Sequence, residues 1–291
     1  ATTERSGKLQ FNLLVLNTAT GERLAELWDG PETSIESAFF SPVAGDNRLV
    51  ATTTQSGYRR PFVWNPVSGE RQTLRLPTVE GDTYPVDWSA DGALLLLSQF
   101  HQAQQRLYCY DLRTHEVRAL DHPAGSFNDL FFRPNGEIFA VWQDAQNPSQ
   151  LLRLDGTSGQ SQGVVLQAGA VPSGQPWRSI QFPSSDEELV QAWLATPPGP
   201  GPFPVILETH GGPTAVQTES FAPAAQTWLD HGFAYLSVNY RGSVTFGRDY
   251  QDKILGMPGH WEVEDIVAAR RWLIEKGIAD PAKILLTGWS Y

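Results

Sequence analysis

The chain has 291 residues, 41% of them hydrophobic and 18% charged, which is the composition of a soluble globular protein large enough for one big domain or two ordinary ones. A formal net charge of −11 argues against nucleic acid or an anionic membrane as a partner. Cys109 is the only cysteine, so no intrachain disulfide is available and nothing indicates an oxidising compartment. With no signal peptide and no apolar stretch near the ~20 residues that span a bilayer, a cytoplasmic location is expected. The setting of Cys109, Leu-Tyr-Cys-Tyr-Asp, reads as a strand with a packed structural thiol.

The first half of the chain repeats. Ala38-Phe39-Phe40-Ser41-Pro42, Val86-Asp87-Trp88-Ser89-Ala90-Asp91-Gly92 and Leu130-Phe131-Phe132-Arg133-Pro134-Asn135-Gly136 are three versions of one element. An apolar strand follows each, at Leu49–Ala51, Leu94–Leu97 and Ile138–Val141. Each repeat then reaches a strand that ends in a polar turn, such as Trp64-Asn65-Pro66-Val67-Ser68-Gly69. These strand ends fall at 16, 64, 110 and 154, with steps of 48, 46 and 44 residues. Short strands, Asp/Asn-Gly turns and a period in the mid-forties are the pattern of a β-propeller, one four-stranded blade per repeat. About three to four blades are present, fewer than a closed ring generally needs, so sequence missing at the N-terminal side is expected. A β-sandwich with fortuitous spacing is the competing reading.

Pro172, Gly174 and Pro176 mark a linker, after which the pattern changes. The expected division is 1–172 as a partial propeller domain and 173–291 as the N-terminal part of an α/β-hydrolase domain. Short strands are expected at 178–183 and 189–195. A buried strand, Val205-Ile206-Leu207, leads into His210-Gly211-Gly212-Pro213. A helix is expected near 219–231, a strand at Phe233–Val238 and a clear helix over 261–276, with Val263, Ile266, Val267 and Leu273 on one face. Strands alternating with helices imply a mostly parallel sheet.

Strand 283–287 runs into Gly288-Trp289-Ser290-Tyr291. This is the start of the Gly-x-Ser-x-Gly elbow, a strand-to-helix turn so tight that it lifts a serine hydroxyl above the sheet. Ser290 is the candidate nucleophile. Gly212 and Tyr291 are the candidate oxyanion donors through their backbone N–H groups, since a glycine-rich loop after an earlier strand supplies the second donor in such sites. His210 is read as a structural hydrogen-bonder, because the chain order in this fold places the acid and then the base after the serine. Asp249, Asp252 and Asp265 precede the serine and are read as surface or capping residues. Arg241 has two readings: a cleft-facing guanidinium for a substrate carboxylate, or an internal ion pair that orders its loop, which is preferred beside a glycine turn. No metal-ligand spacing occurs, so neither metal nor cofactor is expected.

Taken in order, His210-Gly211-Gly212-Pro213, Asn239-Tyr240-Arg241-Gly242-Ser243 with Phe246-Gly247-Arg248-Asp249-Tyr250, Trp261-Glu262-Val263-Glu264-Asp265 and Gly288-Trp289-Ser290-Tyr291 resemble the prolyl oligopeptidase family. The acylaminoacyl-peptidase and dipeptidyl-peptidase-IV-like branches are the most similar. The resemblance implies a serine peptidase that acts on short peptides through an acyl-enzyme, with a propeller capping the hydrolase and with homo-oligomers among its members. It also implies a catalytic Asp and His after the elbow, so the chain is expected to be part of a longer protein. An esterase on the same hydrolase fold and a non-catalytic propeller scaffold are the alternatives.

Overall fold

The computed structural model describes residues 10–291. Strands β1 (Leu13–Leu16) and β2 (Arg23–Leu27) form an antiparallel pair. Three four-stranded antiparallel sheets follow, each with its strands in chain order. The first holds β3 (Ile35–Phe40), β4 (Leu49–Thr53), β5 (Arg60–Trp64) and β6 (Arg71–Thr73). The second holds β7 (Asp82–Trp88), β8 (Leu94–His101), β9 (Gln104–Asp111) and β10 (Glu116–Ala119). The third holds β11 (Ser126–Phe132), β12 (Ile138–Gln143), β13 (Gln150–Leu154) and β14 (Ser161–Gln167). Each full sequence repeat is thus one sheet, and the earlier copy of the turn lies between β1 and β2.

The repeat has a local physical cause. Asn65 Oδ1 accepts the N–H groups of Val67 at 2.9 Å and Ser68 at 3.2 Å, and Gly69 N–H closes onto the Asn65 carbonyl at 2.8 Å. The same side-chain-capped turn recurs at Asn17, Asp111 and Asp155. Its fifth residue takes a left-handed backbone, which glycine adopts without a Cβ clash. That residue is Gly21, Gly69 or Gly159 in three copies and His115, at φ +62°, in the fourth.

Successive sheets pack through apolar faces. Val50 and Val63 of the first meet Trp88, Leu95 and Tyr110 of the second, and Leu96, Leu107 and Cys109 meet Phe127, Ile138 and Leu152 of the third. Cys109 is a free, buried thiol, and burial raises its pKa, as a packed structural role requires. Among the described residues the architecture is several small sheets without a closed barrel.

The remaining strands form a five-stranded sheet in the order β15 (Arg178–Pro183), β16 (Leu189–Ala195), β18 (Ala234–Asn239), β17 (Phe203–Thr209), β19 (Ala279–Gly288). Only β18, β17 and β19 are parallel; β15 and β16 are an antiparallel hairpin at one side, so the sheet is mixed rather than mostly parallel. Helix α1 (Pro223–Asp230) starts later than expected, at a proline whose missing N–H costs nothing in the first turn. A short helix α2 (Arg248–Asp252) was not foreseen. Helix α3 (Trp261–Glu275) lies where it was expected, and only part of the expected face turns inward: Leu273 is buried and Ile266 packs against the core, while Val263 and Val267 are exposed and Glu262, Asp265, Ala268 and Ala269 are buried beside them. No helix among the described residues is long and apolar enough to cross a membrane.

The hairpin tips of the small sheets rest on this second unit. The β8–β9 turn, Gln102-Ala103, has φ of +49° and +61°, and both its N–H groups donate to Thr245, that of Ala103 to Oγ1 at 3.0 Å. Arg248 Nη2 donates to Thr54 Oγ1 at 2.7 Å from the tip of the first sheet. Ser126 Oγ of the third sheet donates to the Glu219 carbonyl at 2.6 Å. Ala103 and Ala145 are buried beside Trp177, Trp193 and Leu229, so the seam is apolar as well as hydrogen-bonded.

Candidate active site

Parallel pairing sets the site. Thr209 at the end of β17 is in register with Gly288 at the end of β19, so His210-Gly211-Gly212 and Trp289-Ser290-Tyr291 leave the sheet side by side. This is the carboxyl end of neighbouring parallel strands, where open α/β sheets bind ligands. A Cβ on Gly288 would stand 2.4 Å from Thr209 Oγ1 and 3.1 Å from the Thr209 carbonyl oxygen, so the strands are close-packed there and a side chain at 288 would have to displace the Thr209 hydroxyl. Ser290 has φ +75°, a left-handed conformation that costs a residue with a side chain on the order of 1–3 kcal/mol. It is solvent-exposed at the strand end.

Gly211 packs directly against the serine. A Cβ at Gly211 would lie 2.7 Å from the Trp289 carbonyl oxygen and 3.1 Å from Ser290 Cβ. The substitution Gly211→Ala is therefore expected to displace the elbow and to slow acylation of Ser290 by about a hundredfold, the cost of a misplacement near 1 Å. The rate of Ser290 modification by a fluorophosphonate in the whole protein, compared at equal melting temperature, measures it; an unchanged rate would show that the two loops do not need their present spacing.

His210 is held from both sides. Its Nδ1 donates to the Gly211 carbonyl at 2.7 Å, and Nε2 lies 2.9 Å from Ser243 Oγ. The Tyr240 ring stacks on it with centroids 4.6 Å apart, and Tyr240 Oη donates to the His210 carbonyl at 2.7 Å. Burial lowers the His210 pKa, against the Gly211 carbonyl and Glu208, which raise it. With both ring nitrogens committed, His210 serves to shape the glycine loop.

Arg241 does not reach the cleft. Its side chain is fully buried, and the substrate-binding reading is replaced by the internal one. Nε and Nη2 fork onto Asp265, with Nη2 to Oδ1 at 2.6 Å; Nη1 meets Asp186 Oδ2 at 2.6 Å; and the guanidinium lies over the Trp261 ring at 4.0 Å. Asp265 is likewise no surface residue. It has no exposure, and it also accepts Arg241 N–H at 2.7 Å and Ser184 Oγ at 2.6 Å. A planar donor fork bound to a carboxylate inside the protein ties the loop after β18 to α3 and to the β15–β16 hairpin.

Glu262 is the residue that pattern reading missed. An acid in the first turn of a helix is already explained by the helix dipole, and spacing alone does not reveal what else it meets. Here its carboxylate faces the elbow: Oε1 accepts Tyr291 Oη at 2.8 Å and Gly259 N–H at 2.6 Å. Burial opposes its charge, yet these bonds hold its pKa below the ordinary value, and the bond to Glu262 raises that of the Tyr291 phenol. Thr209, Tyr240, Gly259, Glu262, Ile266 and Tyr291 line a cavity of about 410 Å³ beside the elbow. A second cavity of about 480 Å³ lies at the seam between the units, lined by Arg106, His122, Ser126, Trp193 and Glu219 among others. No cluster of three or more His, Cys, Asp and Glu side chains able to hold a metal occurs among the described residues.

Residues 219–291 match the prolyl oligopeptidase family, in agreement with the resemblance read from the motifs. The acylamino-acid-releasing enzyme of Rattus norvegicus is 26% identical over 224 residues, which are 70% of this chain and 30% of the rat protein. That of Arabidopsis thaliana is 38% identical over 88 residues, 30% of this chain and 12% of its own length. A solved puromycin-hydrolysing peptidase from Mycobacterium tuberculosis superposes with a TM-score of 0.76 at 21% identity, over 92% of this chain and 43% of that one, a likeness of fold. The chain therefore spans less than half the length of these relatives.

Proposed function

We propose that this chain is the nucleophile-bearing part of a serine peptidase of the acylaminoacyl-peptidase kind, acting on short peptides. The observation that carries the reading is Ser290, exposed and left-handed at the carboxyl end of β19, pressed against the glycine loop that follows β17. In this reading residues 1–172 are propeller blades, three complete and one partial, and 173–291 are the N-terminal part of an α/β-hydrolase domain.

Ser290 Oγ attacks the scissile carbonyl, and its proton passes to a histidine base held by a carboxylate. His210 is not that base in this reading, since its Nδ1 holds the Gly211 carbonyl and its Nε2 is paired with Ser243 Oγ. The carbonyl oxygen becomes an oxyanion between the N–H groups of Gly212 and Tyr291, each donor contributing about 3 kcal/mol to the barrier reduction. The C–N bond breaks as the histidine returns its proton to the departing amine; water, giving a proton to the same histidine, then attacks the acyl group, and Ser290 Oγ leaves with that proton. No cofactor enters this chemistry.

The test is reaction of the whole protein with a fluorophosphonate, followed by peptide mapping and by comparison of acyl-aminoacyl substrates with p-nitrophenyl esters. Modification at Ser290 with preferred cleavage of blocked peptides supports the reading. Modification with ester cleavage alone would favour an esterase, and no modification would favour a scaffold.

A further inference from the structure

A carboxylate that merely complements the dipole of α3 has no reason to be buried. Glu262 is 7% exposed, and its Oε2 is enclosed without a hydrogen-bond partner. Both bonds it accepts fall on Oε1, one from the backbone of Gly259 and one from the phenol of Tyr291. Gly259 fixes the carboxylate, and the carboxylate in turn holds the tyrosine. Tyr291 directly follows a serine in a strained left-handed conformation, and this bond fixes its side chain there. The bond, from a phenol to an ionised carboxylate at 2.8 Å, is of the charge-assisted kind.

We propose that Glu262 is a positioning residue of the oxyanion site: by holding the Tyr291 side chain it sets the direction of the Tyr291 backbone N–H. The inference rests on the proposed roles of Ser290 and Tyr291. It extends the site to the first turn of α3 and assigns Glu262 a task that neither its helix position nor its charge reveals. An N–H that is misdirected by a few tenths of an ångström still binds substrate but stabilises the developing oxyanion less, so the loss falls on kcat rather than KM.

The experiment compares Glu262→Ala, Glu262→Gln, Tyr291→Phe and the Ala/Phe double variant in the whole protein, with kcat, KM and the rate of fluorophosphonate attachment to Ser290. The tetrahedral phosphonyl adduct places its oxygen where the oxyanion forms. Glu262→Ala and Tyr291→Phe are each expected to lower kcat and the attachment rate by about ten- to a hundredfold with KM little changed. The amide oxygen of Glu262→Gln can take the place of Oε1 and accept both bonds, so this variant recovers the greater part of the loss. The double variant is no slower than the slower single, because both remove the same link. Normal kcat in Tyr291→Phe, or losses that add in the double variant, would overturn the inference while Ser290 remains labelled. Absence of labelling in the unmodified protein would overturn the functional reading and this inference with it. Should Glu262→Ala not fold, Tyr291→Phe and Glu262→Gln decide the question.

Discussion

Ser290→Ala in the whole protein is expected to lower kcat/KM for a blocked peptide by about 10⁴- to 10⁶-fold, the range seen when a serine nucleophile is deleted from a triad. The oxyanion donors and the binding surface survive the change, so KM should move little. A steady-state assay with mass analysis of the phosphonate adduct measures it, and a variant that keeps more than a tenth of the rate would remove Ser290 from the chemistry. The backbone adds a second, independent expectation. Alanine inherits the left-handed φ of +75°, with its Cβ still crowding the following carbonyl. Glycine does not, so Ser290→Gly should be more stable than Ser290→Ala by about 1 kcal/mol, read as a difference in denaturant midpoint at equal slope. Equal stabilities would mean that the elbow is not strained at this residue. The prediction makes the trade explicit: the position that presents the hydroxyl is one where a side chain is unfavourable.

Asp265→Ala is expected to destabilise the chain by about 3–5 kcal/mol, since it leaves a buried guanidinium without its main partner. Arg241 would retain Asp186, Ser184 and the Trp261 face, but Asp186 is partly solvated and cannot replace a carboxylate that accepts from Nε, Nη2 and the Arg241 backbone together. Replacing both partners, as in Arg241→Met with Asp265→Leu, should recover a large part of the loss, because desolvation of two charges offsets most of their attraction. Urea unfolding of the two variants measures this. A loss below about 1 kcal/mol in Asp265→Ala would show that water enters the site and that the cluster does not hold the loop after β18. The two residues also differ in what their loss is expected to change: Asp265→Ala acts on the loop after β18 that Arg241 holds, Ser290→Ala chiefly on the rate.

The repeats were legible because their cause is local. A side-chain oxygen at Asn17, Asn65, Asp111 and Asp155 caps a turn two or three residues on, and a left-handed residue closes it. Such a unit writes itself into five consecutive positions, so the spacing of 44 to 48 residues could be read directly, and each full repeat proved to be one sheet. Strands 178–183 and 189–195 were found with their observed limits for the same reason: each is a short run bounded by turn residues. The mixed pairing of the five-stranded sheet was not legible, because whether β16 runs with or against β18 depends on partners dozens of residues away.

At the site the division is equally physical. The sequence by itself determined that a serine two residues after a glycine follows an apolar strand and that a His-Gly-Gly loop follows another, since both are contiguous motifs whose backbone demands are encoded in place. Only the tertiary structure decided what lies beside them. It set β19 against β17 in register, turned Asp265 and Arg241 inward as a pair and brought Glu262 to the hydroxyl of Tyr291. A charged residue reads the same in a sequence whether its partner is water or another side chain, and the free energy of that choice is set by burial, which is a property of the folded chain.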